Sequence, residues 1–271
     1  MKRKLFGMLL VIAIAMIPLS AYAAEAETAS EIVANTNKPY LALGADLTAD
    51  QRAVVLAEMG ITEEQLSDYT VVYITNEQEH AALDSYIESS VIGTKSLSCA
   101  MVKENTDGKG IRVTTKNINY CTISMYRNAL VTAGVENADV MVVGPTQISG
   151  TAALLGIMSA YEEMSGVTLS EDAKETALEE LVTVGEVLDT SDEDGEVLQD
   201  LIEYVKAEVV AGDLTDVSAI EDVITNGETE FGITLTDEQK DMLSDVMQKI
   251  GDIDIDTEKL MEQAGDLYEQ Y

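Results

Sequence analysis

The sequence predicts an α+β protein. Its first half reads strand-helix-strand-strand-helix-strand, a ferredoxin-like or similar α/β sandwich, and an all-helical C-terminal bundle follows. Three observations predict this. Short β-branched or apolar runs alternate with amphipathic helical runs up to Val143. Beyond Val143 every apolar stripe has helical spacing. Apolar residues make up 46% of the 271 residues, enough to build a core and to exclude wholesale disorder.

Taken in order, Thr48 and Gln51 have the spacing of a capping box, and the helix they open carries Val55, Leu56 and Met59 and stops at Gly60. A short helix at 62–66 follows. YTVVYIT (69–75) is β-branched and short, hence a strand. Residues 76–88 read as a helix with Leu83, Tyr86 and Ile87 on one side. Residues 94–103 and 110–117 read as two strands of a hairpin around Asp107-Gly108. A helix at 123–133 closes at Gly134, and ADVMVV (138–143) is an apolar strand.

Five or more helices come next. Their stripes include Leu178, Leu181, Val182 and Leu188, then Leu198, Leu201, Ile202 and Val205, then Leu243, Val246, Met247 and Ile250, then Leu260, Ala264 and Leu267. The phrases GADLT (44–48), GVTLS (166–170) and GITLT (232–236) each precede an amphipathic helix, as one loop-to-cap chemistry used three times.

The N-terminus carries the clearest functional statement. Lys2, Arg3 and Lys4 form a basic segment, residues 5–17 an apolar one, and Pro18 with Ala21-Tyr22-Ala23 a cleavage region. That is the three-part pattern of a secretory signal peptide. Thirteen apolar residues at about 1.5 Å each fall short of a hydrocarbon core of about 30 Å, so the segment is too short for an anchor. The expected organisation is a signal peptide at 1–23, cleaved after Ala23, a flexible leader at 24–39, an α/β domain at 40–146 and a helical domain at 147–271. No membrane span is expected after cleavage.

The formal charge is -34, from 50 acidic and 16 basic side chains. Loss of the three N-terminal bases leaves 13 against 50, or -37. Nucleic-acid binding is thereby disfavoured, because phosphate contacts need clustered Lys and Arg. One His, two Cys and no Trp leave little material for a soft-metal site, a His-based dyad or an aromatic sugar platform. The acidic stretches fail the calcium-loop pattern: counting from Thr190, Asp192, Asp194 and Gly195 fit, but position 12 is Leu201. No catalytic residue, metal site or cofactor is expected. His80 reads as a surface or half-buried side chain, and acid pairs such as Glu77 and Glu79 are too frequent in this composition to single out.

The candidate binding segment is GPTQISGT (144–151), between the apolar strand and the next helix. Gly144, Ser149, Gly150 and Thr151 place small residues where helix N–H groups are unpaired, with Ser149 or Thr151 as N-cap. It is not a Walker loop, since five residues separate Gly144 from Gly150 and no Lys follows. For Cys99 and Cys121 no disulfide is expected: in the hairpin register Cys121 faces Thr94, some five residues or about 16 Å along the strand from Cys99.

Several runs carry a family resemblance: GADLTADQR (44–52), NEQEH (76–80), IGTKSLSCAMV (92–102), GKGIRVTTKNIN (108–119), MYRNALVTAGV (125–135) and GPTQISGTAALLGIMSAYE (144–162). They resemble the YpuA-like secreted proteins of Gram-positive bacteria, the family of domain of unknown function 1002. The resemblance covers about residues 40–163, and it implies export and a Gram-positive source. It implies no reaction and no catalytic residues.

The leading expectation is a secreted binding or interaction protein of the Gram-positive cell envelope rather than an enzyme. Its expected partners are cationic or wall-associated envelope molecules. The alternatives are an envelope hydrolase or transferase using carboxylates, marked by two acids of opposed pKa shift in one cleft, and an acidic cation-binding protein.

Overall fold

A computed structural model describes residues 38–106, 109–253 and 255. The signal-peptide segment, the leader to residue 37, the turn pair Asp107-Gly108 and the last stripe at 260–267 lie outside the described residues.

The protein is a mixed α+β structure built on one five-stranded sheet. Its strands are β1 (Tyr40–Gly44), β2 (Thr70–Ile74), β3 (Cys99–Glu104), β4 (Ile111–Ile118) and β5 (Ala138–Ile148). The helices are α1 (Ala49–Glu58), α2 (Asn76–Leu83), α3 (Ser89–Ile92), α4 (Ile123–Thr132), α5 (Thr151–Ser165), α6 (Glu171–Thr190), α7 (Gly195–Ala211), α8 (Val217–Phe231) and α9 (Asp237–Asp252), with a 3-10 turn at Glu63–Asp68.

The strand order is β2-β1-β3-β5-β4. β1 and β2 run parallel, as do β4 and β5, while β3 is antiparallel to both β1 and β5. Two βαβ units, β1-α1-β2 and β4-α4-β5, therefore flank one reversed strand. The expected hairpin is corrected: β5 inserts between β3 and β4, so the two strands around Asp107-Gly108 do not pair. A turn signal fixes a local reversal and not which strands finally bond.

β1 is a strand that the pattern reading missed. YLALG is short, without β-branched residues, and buried at all five positions, so it shows no alternation. β5 runs five residues past Val143. Its pairing with β3 ends at Cys99 and Val143, which frees that edge, and Pro145 can sit in the strand without breaking a ladder. On the other side the register with β4 shifts between Lys116 and Ile118. Asn117 takes up the extra residue at φ 58, and its side-chain amide donates to the Gly144 carbonyl at 3.0 Å.

The sheet buries two unequal faces. Leu41, Leu43, Cys99 and Val143 pack with Val55 and Leu56 of α1 and with Met59 at its end. Ala42, Ala100, Val102, Val140 and Val142 belong to the main core, with α4, α5 and the stripes of α6 to α9. At Gly156 of α5 a Cβ would come within 2.6 Å of Ala42 Cβ, so helix and strand touch through the absent side chain. The domain boundary expected between 146 and 147 falls within β5, α5 lies against the sheet, and the described residues from Lys38 onward pack as one compact unit. Among the described residues beyond Ile148 there is no strand.

The capping reading holds at three sites. Thr48 and Gln51 form the box that opens α1, Ser170 Oγ accepts from Ala173 N–H at 3.1 Å, and Thr236 with Gln239 opens α9. Cys99 and Cys121 are buried free thiols. The reason differs from the one the hairpin gave: Cys99 belongs to the cluster under α1 and Cys121 to the main core on the other face of the sheet.

Candidate functional site

α2 opens with a capping box between Thr75 and Gln78, and Glu79 follows directly. Leu83, one helical turn on, is fully buried, so Glu79 points the same way into the protein. Its side chain is 2% exposed. The Thr151 hydroxyl, at the first residue of α5, donates to Glu79 Oε1 at 2.6 Å. Glu79 Oε2 has no hydrogen-bond partner.

The start of α5 explains why a carboxylate sits there. Its N-cap is Gly150, left-handed at φ 96 and without a side chain to accept from the free N–H groups. Neither Ser149 nor Thr151 caps the helix, contrary to expectation: Thr151 is its first residue and Ser149 Oγ lies 3.4 Å from Thr151 Oγ1. The negative group at this helix end is instead Glu79, from 72 residues earlier in the chain. Desolvation pushes the Glu79 carboxyl above the usual carboxylate range, while the Thr151 hydroxyl, the His80 charge, the Asn76 side chain and the Ala152 backbone N–H pull the other way.

His80 is locked from both sides. Nδ1 lies 2.7 Å from Asp84 Oδ1 and Nε2 lies 2.8 Å from the Gly93 carbonyl. Both neighbours are acceptors, so the doubly protonated ring suits the place, and the Asp84 and Gly93 contacts raise the His80 pKa. The same hydrogen bond lowers the Asp84 carboxyl. With both ring nitrogens engaged, His80 pins α2 to the segment after α3 and offers no free nitrogen as a base.

In that segment the strand expected at 94–103 does not yet begin. β3 starts only at Cys99, and 93–98 forms a wall. Ser96 N–H donates to Asp46 Oδ2 at 2.8 Å, which holds the wall to the end of β1. Ser98 is 5% exposed and its Oγ has no partner.

Glu79, the 93–98 segment, the end of β5 and the start of α5 enclose an open cavity of about 320 Å³. Leu97, Ile92, Ile148 and Ala152 supply its apolar surface, and Lys95, Ser98, Ser149 and Glu79 its polar groups. Apart from Val91, every lining residue falls in the runs NEQEH, IGTKSLSCAMV and GPTQISGTAALLGIMSAYE.

Of the four residues expected to bind, the structure gathers three. Ser149 and Gly150 line the cavity, and Thr151 lies buried against Glu79. Gly144 stays in β5, outside the lining. Gly150 also has a structural duty: its carbonyl accepts from the Tyr126 hydroxyl at 2.6 Å, and a Cβ would collide with that hydroxyl. Glu79, Ser98 and Lys95 were missed. The available signal was Glu79 lying one helical turn before Leu83, an acid in line with an apolar stripe.

Glu79 is the one carboxyl group in the lining. A two-acid cleft is therefore not what these residues form. Among the described residues there is no cluster of three or more His, Cys, Asp or Glu placed to hold a metal ion, and no helix is long and apolar enough to cross a membrane.

Fold and site define a mixed α+β protein with a helical C-terminal half and one cavity holding a single buried carboxyl group. The chain belongs to the family described as "Protein of unknown function (DUF1002)", whose profile matches residues 43–267 and so takes in the helical half as well. It is 37% identical over 222 residues to "Uncharacterized protein YpuA" of Bacillus subtilis (strain 168), covering 82% of this chain and 74% of the relative. No solved structure matches.

Proposed function

We propose that this is an exported binding protein of the Gram-positive cell envelope, and that the cavity between α2, α5 and the 93–98 segment is its ligand site. The observation that carries the binding reading is a pair of orphaned polar atoms, Glu79 Oε2 and Ser98 Oγ, on residues lining one cavity. Buried polar groups normally find partners, and leaving one unpaired costs about 1–3 kcal/mol. Both atoms lie out of reach of solvent here, so a ligand recovers that loss as the two side chains turn towards it. The basic, apolar and small-residue segments at the N-terminus support export. The acidity of the chain supports encounter with cationic or wall-associated molecules. Binding is favoured over carboxylate hydrolysis because the lining offers one acid, while general acid-base cleavage of a glycosidic bond uses two.

Crystals soaked in mixtures of small polar fragments test the site. The expected result is a fragment in the cavity within hydrogen-bonding distance of Glu79 Oε2. Fragments bound only elsewhere, with water alone at Glu79, overturn the reading. N-terminal sequencing of the protein recovered outside a producing cell tests export, with a first residue at Ala24 expected and an intact Met1 against it.

A further inference from the structure

The cavity lining carries one acid, Glu79, and one base, Lys95. In its wall lies Glu79, a carboxyl group 2% exposed, with one oxygen engaged by Thr151 and the other unpartnered, and Ser98, 5% exposed, with an idle hydroxyl. An ionised carboxylate only accepts hydrogen bonds, so a donor is what Oε2 lacks. Lys95, which is exposed, lines the same cavity. Several cations of this acidic protein are held by carboxylates, Arg127 by Glu203 and Lys240 by Glu228 for example. Lys95 has no ion pair or hydrogen bond among the described residues.

Each of these two side chains disfavours a class of ligand. A simple anion drawn to Lys95 would bring negative charge towards the buried carboxyl group. A polycation drawn to Glu79 would bring positive charge past Lys95. A molecule with one charge of each sign satisfies both side chains and adds no net charge to a low-dielectric site. About 320 Å³ lies near the lower bound of ligand pockets, about 300–1,000 Å³, and suits a molecule of a few heavy atoms.

Resting on the binding reading above, we propose that the cavity takes a small zwitterion, a free amino acid or a dipeptide, its primary ammonium facing Glu79 and Ser98 and its carboxylate facing Lys95. The ammonium brings three donors, enough for both orphaned oxygens and one carbonyl.

Thermal melting and titration calorimetry of the purified protein test this. The probes are L- and D-alanine, L-lysine, γ-aminobutyrate and alanyl-alanine, with N-acetylalanine and ethylamine as controls that each lack one charge. At least one zwitterion is expected to raise the melting temperature, and its N-acetyl counterpart to bind about tenfold more weakly, the size of one lost charge-assisted hydrogen bond. Lys95→Ala should weaken the zwitterion and leave ethylamine unchanged. Glu79→Gln should weaken both. Since Glu79 also serves the start of α5, Ser98→Ala is the second variant: its hydroxyl has no partner to lose, and it should weaken the ammonium end while leaving the unliganded melting temperature in place. Equal binding of alanine and N-acetylalanine, or no binding by any probe, overturns the inference. If soaked fragments of another chemistry still seat against Glu79, the cavity remains a ligand site and only the zwitterion assignment falls. If none seats there, both fall.

Discussion

Thr151 Oγ1 donates to Glu79 Oε1 at 2.6 Å, and this one bond joins the first residue of α5 to the fourth residue of α2. Both side chains are sealed from solvent, Thr151 at 1% and Glu79 at 2% exposure. The bond engages one oxygen of the carboxyl group, Oε1, and sets that group in the cavity wall.

Thr151→Val removes the donor and keeps the volume. We expect a loss of about 1–3 kcal/mol in denaturant unfolding, the desolvation cost of an orphaned buried acceptor. Ser149→Ala, which loses only a 3.4 Å contact, should change stability by under about 0.5 kcal/mol. Equal losses at the two positions would count against the assignment of Thr151 as the Glu79 partner.

The second prediction concerns Lys206. Its Nζ lies 2.7 Å from Glu180 Oε1, 2.6 Å from Thr132 Oγ1 and 2.7 Å from the Asn128 carbonyl, with both charged side chains 1% exposed. Burial lowers the Lys206 pKa, and Glu180 is the main influence opposing it. The network ties α4 to α6 and α7. Lys206→Met strands the Glu180 carboxylate and should cost about 3–5 kcal/mol. The double variant Lys206→Met, Glu180→Leu should regain most of that. Urea melts of wild type, single and double variants decide it, and a double variant less stable than the single one goes against it.

The third prediction is a pH dependence. The folded state raises Glu79 above its ordinary value of 4.5, so the protonated form is the one stabilised. That contribution is whole below pH 4.5 and is lost as the pH rises through the raised value. His80 is raised from 6.5, so its contribution is whole below that value and fades at higher pH. Asp84 is lowered from 3.8 and contributes above that value, lost only in stronger acid. From pH 5 to pH 8 the melting temperature should therefore fall. Glu79→Gln should remove one part of the slope and His80→Gln another. An unchanged slope in both variants would assign the fall to general charge repulsion alone.

The fourth prediction is thiol inertness. Burial pushes Cys99 and Cys121 each to about 12. Thiolate is the reacting form, so both should resist an aromatic disulfide reagent in the native state and react within minutes in denaturant. Fast labelling of either native thiol would contradict the packing described.

Local pattern along the chain was enough for the class α+β, most helix starts and the all-helical stretch of described residues after β5. These are local properties: Thr48 with Gln51, Ser170 and Thr236 cap helices through atoms three residues away, and an apolar stripe at helical spacing announces its own buried face. It did not yield β1, whose five residues are all buried and so lack an alternating pattern, nor the length of β5, since Pro145 reads as a turn until the missing neighbour beyond Val143 is seen. The same holds for the site. Gly150 and Ser149 were legible as a helix entry, but Glu79 looked like one of 50 acids. Only the tertiary structure made it singular, by seating α2 across the start of α5 and taking the carboxyl group out of water. Burial and strand order depend on contacts between segments distant in the chain, and nothing in a local pattern encodes which segment arrives to cover which.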